Sequence, residues 1–177
     1  MIRTMWWLVF LSLLVPLAAG AQTPRVQELE QGRPWAVYFS AEGGSPQAVV
    51  ETLERARHNV QVQASTLGSP EITAALVEAH RRGVAVEIIL NGRRAGRSAS
   101  VPTLARAGIR LLRDATHTVG ETNAMVIDHQ VVVLGSFSFA PSTEGSLLVM
   151  HDPTLAGRYS ENWQLHAAHS ERYATKP

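Results

Sequence analysis

Residues 121–139 read ETNAMVIDHQVVVLGSFSF, and the fold turns on them. Residues 125–128 and 131–134 are two apolar, β-prone runs, separated by His129 and Gln130. Two such runs with a short polar link read as a β-hairpin.

Upstream of the hairpin, strands alternate with helices. Residues 36–40 (AVYFS) are β-rich and end at Glu42-Gly43-Gly44. Ser45-Pro46 opens a helix, with serine as N-cap and proline as the first helical residue. Val49, Val50, Leu53 and Ala56 give that helix one apolar face. Val60, Val62 and Ala64 alternate with Gln61 and Gln63, the pattern of a half-buried strand. Ser69-Pro70 repeats the cap signal. Ile72, Ala75, Leu76 and Ala79 form the next stripe, and Gly83 ends the helix. Residues 84–90 are dense in β-branched side chains. Residues 91–100 (NGRRAGRSAS) form a basic, Gly-containing loop. A short helix over 101–107 is closed by Gly108, and 109–112 reads as a strand. Downstream of the hairpin, 147–150 is another strand. Asp152-Pro153 then caps a last helix that carries Leu155, Tyr159, Trp163 and His166. Early alternation followed by a late hairpin predicts an α/β domain with a mixed sheet flanked by helices.

Size and composition agree with one such domain. The chain has 177 residues, 45% hydrophobic and 18% charged. That excludes bulk disorder, collagen and coiled coil. There is no cysteine, so there is no disulfide framework, thiolate nucleophile or Cys-based zinc site. The formal charge of +1 excludes a strongly basic or acidic protein, though not a local patch. Of the 16 basic residues, 15 are arginine, and the single lysine is Lys176. Chemistry that needs a lysine inside the fold is therefore in difficulty.

Residues 1–21 read as a secretory signal peptide. Arg3 supplies the positive start, residues 5–19 are apolar, and Ala19-Gly20-Ala21 is a small-x-small cleavage site. The run is short for a membrane span of about 20 apolar residues, so cleavage is favoured over a retained anchor. Removing 21 of 177 residues leaves 156, with 15 basic and 15 acidic groups. The expected product is periplasmic or secreted, with no stable membrane anchor. Residues 22–34 are a polar lead-in, and 35–177 form the domain.

Asp128, six residues, then Gly135-Ser136-x-Ser138 resembles the second half of the phospholipase D superfamily signature, H-x-K-x4-D-x6-G-S-x-N. The resemblance is closest to the single-domain bacterial Nuc-type endonucleases, and it covers roughly residues 35–177. Val37–Ser40 with Glu42-Gly43-Gly44, Ala79–Val84, Glu87–Leu90, and Asn162-Trp163 with His166 are similar to elements of that branch. It implies a phospholipase D/nuclease-like α/β fold. It also implies phosphodiester cleavage through a phosphohistidine, with lysines holding the phosphate oxygens. Single-motif members assemble as homodimers that share one site, with no cofactor.

The first half of the signature departs. Glu121 stands at the histidine position, Asn123 at the lysine position, and Ser138 at the final asparagine. Asp128 alone remains. A carboxylate facing a phosphate of the same sign is a poor substitute for an imidazole, and Asn123 brings no charge. Two Glu121 carboxylates converging in a dimer would repel, raising one pKa. The favoured reading is a pseudoenzyme scaffold that still binds nucleic-acid or phospholipid phosphate. An active divergent phosphodiesterase using His117 is the alternative. A dimer partner of an intact paralogue is a further one. Glu121, His117 and Asp128 are potential metal ligands, but no dense His/Glu pattern supports a site and no metal is assigned. His166 and His169, at i,i+3, read as surface or packing residues.

The remaining functional signal is basic. Between Arg81 and Arg113 stand eight arginines and one acid, Glu87. Arg93, Arg94 and Arg97 share a loop after a sheet strand, where ligand sites of α/β folds lie. Arginine suits phosphate as a bidentate partner. With Ser136 and Ser138 they are the expected substrate-binding residues.

Overall fold

The computed structural model describes residues 34–40, 44–94, 98–116, 123–140 and 144–173. The expected signal peptide, most of the lead-in, Arg97, His117, Glu121 and Lys176 lie outside the described residues. The elements run β1 (Trp35–Phe39), α1 (Ser45–Arg55), β2 (Asn59–Ala64), α2 (Pro70–Arg81), β3 (Ala85–Asn91) and α3 (Val101–Arg106). They continue β4 (Arg110–Asp114), β5 (Asn123–Ile127), β6 (Val131–Gly135), β7 (Ser146–His151), α4 (Pro153–His169) and β8 (Glu171–Arg172).

All eight strands form one mixed sheet in the order β1-β7-β6-β5-β2-β3-β4-β8. β2, β3 and β4 are parallel, as short βαβ units require. The remaining pairings are antiparallel. The main core lies on one face, where Val49 and Leu53 of α1, Ile72 and Leu76 of α2 and Leu104 of α3 meet Val62, Ile88 and Met125. α4 covers the other face through Trp163 against Ile89 and Leu112, and Ala156 against Val126 and Val132.

The expected hairpin is β5–β6, with a correction at its turn. The two φ-positive residues are Asp128 and His129, both at +53°, and the Gln130 N–H closes the turn on the Ile127 carbonyl at 3.0 Å. The link is thus Asp128–Gln130, with the left-handed pair one residue earlier than His129-Gln130. Aspartate tolerates this conformation better than most residues.

Three further expectations change. Gly44, at φ +97°, caps α1 instead of Ser45, which is the first helical residue. The buried Ser45 hydroxyl has no hydrogen-bond partner among the described residues. Ser69 caps α2 as expected, accepting from the Ile72 N–H. β2 is buried on both faces rather than half-buried, because α4 covers its polar side. There Gln61 Oε1 accepts from the Ser160 hydroxyl at 2.7 Å, and the Trp163 indole donates to the Val62 carbonyl at 3.0 Å. On α4 the buried stripe is Ala156, Ser160 and Trp163, while Leu155 and Tyr159 are only partly covered.

Candidate functional site

Register decides which ends of the strands share an edge. Ala64 pairs with Leu90, Leu90 with Arg113, and Asn91 with Asp114. Gln63 pairs with Ala124, and Asn123 with Gly135. The ends of β2, β3, β4 and β6 and the start of β5 therefore lie together along one edge of the sheet. Asn123, Ser136, Ser138, Arg93 and Arg94 all fall there. Loops that leave the carboxyl ends of parallel strands and lead into helices are the usual ligand sites of such sheets.

Asp128 does not join them. Five residues of extended chain separate it from Asn123, about 17 Å at the usual strand rise. It sits at the opposite edge, where its carboxylate accepts from the backbone N–H groups of Arg57, His58 and Asn59 at 2.9, 2.7 and 3.0 Å. Burial alone would raise its pKa. The three N–H donors and the nearby His58 imidazole outweigh burial and hold it below the usual carboxylate range. In this position the carboxylate ties the hairpin turn to the start of β2. A cleft of about 550 Å³ at this edge is lined by Tyr38, Glu51, Arg55, Asp128 and His151. It is remote from the motif's other positions.

At the first edge, Asn123 is buried, and its carbonyl oxygen accepts from the Ser65 N–H and the Ser65 hydroxyl, both at 3.1 Å. The side chain is therefore committed to joining β5 to the end of β2. Gly135 faces it across the ladder, where a Cβ would lie 2.0 Å from the Ser146 carbonyl oxygen. The Ser136 hydroxyl oxygen accepts from the Ser146 N–H at 3.0 Å and so positions the start of β7. Ser138 is half-buried between two buried residues, Phe137 and Phe139, whose rings meet edge-on at 5.9 Å. Phe139 holds φ +50°, and its carbonyl accepts from Gly68 and Ser69 at 3.0 Å each.

The arginine loop leaves β3 through a defined turn. Buried Asn91 accepts the Arg93 N–H on its Oδ1 at 2.9 Å, and its own carbonyl accepts the Arg94 N–H at 3.0 Å. Gly92 donates to the Asp114 carbonyl at 2.8 Å, and a Cβ there would sit 2.6 Å from that oxygen. Arg93 and Arg94 are both exposed. Neither side chain has a hydrogen-bond or ion-pair partner among the described residues. The segment's other described arginines differ. Arg81 pairs with Glu78, Arg110 with Glu87 and Arg113 with Glu171, while Arg82 and Arg106 donate to backbone carbonyls.

Two residues that build this edge carry no sequence signal for it. Ser65 follows a strand, 58 positions before Asn123. Asp114 ends a strand, and His166 and His169 reach it from α4 across 52 and 55 residues. Glu121, His117 and Arg97 lie outside the described residues.

Known proteins bear on this arrangement. The chain is 28% identical over 130 residues to a phospholipase D of Rickettsia bellii. That match covers 71% of this chain and 65% of the relative, so the chain spans just under two thirds of that protein's length. Nuc from Salmonella typhimurium, a phospholipase D family member, superposes with a TM-score of 0.73 at 28% identity, over 80% of this chain and 98% of that one. NucT from Helicobacter pylori shares the fold, with a TM-score of 0.70 at 14% identity, over 78% of this chain and 98% of that one. Residues 49–164 match the family model described as cardiolipin synthase, PLD-like domain. With most of its length so matched and the fold in common with Nuc, the chain belongs to the PLD-like domain family of the phospholipase D superfamily.

Proposed function

We propose that this chain is an exported phospholipase D-superfamily scaffold whose phosphodiesterase chemistry is disabled and whose arginine loop holds phosphate groups. The observation that carries the reading is the bond between Asn123 and Ser65. The position at which the signature has a cation is filled by a neutral, buried side chain, and its oxygen is already committed. No lysine precedes Lys176 in the sequence, so none is near in the chain to replace it. Glu121 at the nucleophile position adds negative charge where a phosphate would have to approach.

Arg93 and Arg94 support the binding half. They stand exposed at the end of β3, while Arg81, Arg82, Arg106, Arg110 and Arg113 are engaged in contacts within the fold. Guanidinium groups held on a fixed turn at a sheet edge suit bidentate phosphate contact. The ligand is a phosphodiester backbone or headgroup, and the homodimer implied by the family is the assembly proposed.

The test is an assay of purified protein on duplex DNA, RNA, phospholipid and a chromogenic phosphodiester. Background turnover with measurable low-salt binding is expected. Turnover that His117→Ala abolishes would overturn the disabled site and install His117 as nucleophile. Absence of any low-salt binding would remove the arginine role. Export is tested by N-terminal sequencing of secreted material, with Gln22 as the expected first residue.

A further inference from the structure

Asp114 closes β4 with a fully buried side chain on the α4 face of the sheet. Its Oδ1 accepts from the Thr116 N–H at 2.9 Å. Its Oδ2 lies 2.8 Å from His166 Nδ1 and 3.1 Å from His169 Nε2. One potential ligand atom from each of the three residues lies within 4.8 Å of the others. Two imidazole nitrogens and one carboxylate oxygen thus converge from a strand end and one turn of helix. We propose that Asp114, His166 and His169 bind one divalent transition-metal ion of the zinc type.

The framework around the trio is fixed. Positions i and i+3 put both histidines on one side of α4. That helix is held to the sheet three residues earlier by the Trp163 indole on the Val62 carbonyl. The two rings are 5.4 Å apart, inclined at 67°, and meet edge-on, and both reach the same Asp114 oxygen. Zinc takes imidazole nitrogen at about 2.0–2.1 Å and carboxylate oxygen at about 2.0–2.2 Å, which puts neighbouring tetrahedral ligands about 3.3 Å apart. The two histidine–carboxylate separations need to open by only a few tenths of an ångström, and the two imidazole nitrogens already lie within 4.8 Å of each other.

The donor set selects the ion. Imidazole nitrogen with one carboxylate suits zinc, cobalt, nickel or copper, whereas calcium and magnesium require oxygen shells. Three protein ligands leave a fourth position for water, and the side chains of His166 and His169, 20% and 33% exposed, give the ion a path from solvent. The Thr116 N–H on Oδ1 steadies the carboxylate from behind. In the metal-free protein the same atoms form hydrogen bonds that satisfy a buried charge.

The metal ligands share the sheet edge of the arginine loop, where the Asp114 carbonyl accepts the Gly92 N–H, but they lie on the opposite face of the sheet from Asn123. Leu112, two positions before Asp114, packs under α4, whereas Met125, two positions after Asn123, packs in the core of the opposite face. None of the signature positions contributes a ligand.

The experiment titrates chelator-treated, purified protein with zinc and with cobalt. One ion per chain is expected, with the strong visible absorption of four-coordinate cobalt and no response to calcium or magnesium. His166→Ala and His169→Ala should each weaken zinc binding by about tenfold or more. His151→Ala, at the opposite edge, should leave it unchanged. Circular dichroism without metal checks that each variant folds. Should a variant fail to fold, the imidazole NMR signals of the unmodified protein decide, since zinc must shift those of His166 and His169 first. Failure to bind zinc, binding unaffected by both substitutions in folded protein, or prior shifts of other histidines would each overturn the site.

Discussion

The side-chain carbonyl oxygen of Asn123 receives both the backbone N–H and the hydroxyl of Ser65, so the residue at the signature's lysine position works as a clasp between β5 and β2. A side chain so held is fixed in place, and its amide nitrogen can offer a phosphate a hydrogen bond but no charge. Repairing the chemistry therefore costs structure.

Glu121→His with Asn123→Lys should yield at most weak phosphodiesterase activity. Lysine at 123 removes the acceptor of two buried donors, a loss of about 1–3 kcal/mol. Adding Ser65→Ala removes one of those donors and should recover part of the stability. Thermal unfolding and a chromogenic diester assay on the three proteins check this order. Full activity in the double variant would show that the clasp is not an obstacle.

Replacing Arg93, Arg94 and Arg97 by alanine should weaken DNA or anionic-vesicle binding and flatten its salt dependence. On duplex DNA each lost phosphate contact reduces the log–log slope by about 0.9, so the triple variant should lose up to about 3. Replacing Arg81, Arg110 and Arg113, each already paired with a glutamate, should change the slope less. Equal slopes for both triple variants would mean a solvated loop.

Asp128→Ala should destabilise the fold while leaving ligand binding unchanged. Three N–H groups lose a charged acceptor, but those of Arg57 and His58 are exposed and gain water instead. A loss of about 1–3 kcal/mol follows. The carboxylate's folded pKa lies below its ordinary value of 3.8. Its stabilisation is therefore complete above about pH 5 and is lost as pH falls through the lower folded value. Urea melts of wild type and Asp128→Asn should accordingly converge on acidification. A constant gap down to the acid limit would contradict the anchor role.

Gly135→Ala should destabilise by about 1–3 kcal/mol or more, since its methyl group would meet the Ser146 carbonyl at 2.0 Å. β7 would have to move away, and Ser136, which holds the Ser146 N–H, would move with it. A chemical-denaturation midpoint within error of wild type would refute the contact.

If the proposed dimer brings two Glu121 carboxylates together, acid should tighten it. A carboxylate whose pKa rises in the dimer binds a proton that favours assembly. Sedimentation across the acidic range, with Glu121→Gln as the pH-insensitive comparison, measures this. A monomer throughout would remove the paired-carboxylate argument.

Local pattern was enough for the elements themselves. Ser69 before Pro70 caps α2 because a serine oxygen beside a proline start satisfies a free helical N–H, a relationship contained within four residues. The apolar runs on either side of Asp128–Gln130 pair as a hairpin because the chain between them is too short for anything else. The signature spacing from Asp128 to Gly135 and Ser136 was legible for the same reason, and with it the family. What lay beyond reach was every consequence of one layer covering another. Gln61 and Gln63 alternate like a solvent-facing row, yet α4, about 100 residues downstream, lies over them. Asp128 belongs to the motif by spacing, but a strand carries it about 17 Å from Asn123, and only the fold shows that it faces backbone amides. Asn123 and Ser65, or Asp114 with His166 and His169, are separated by 52 to 58 residues. Strand order and helix docking bring them together, and neither is encoded by the residues adjacent to them in the chain.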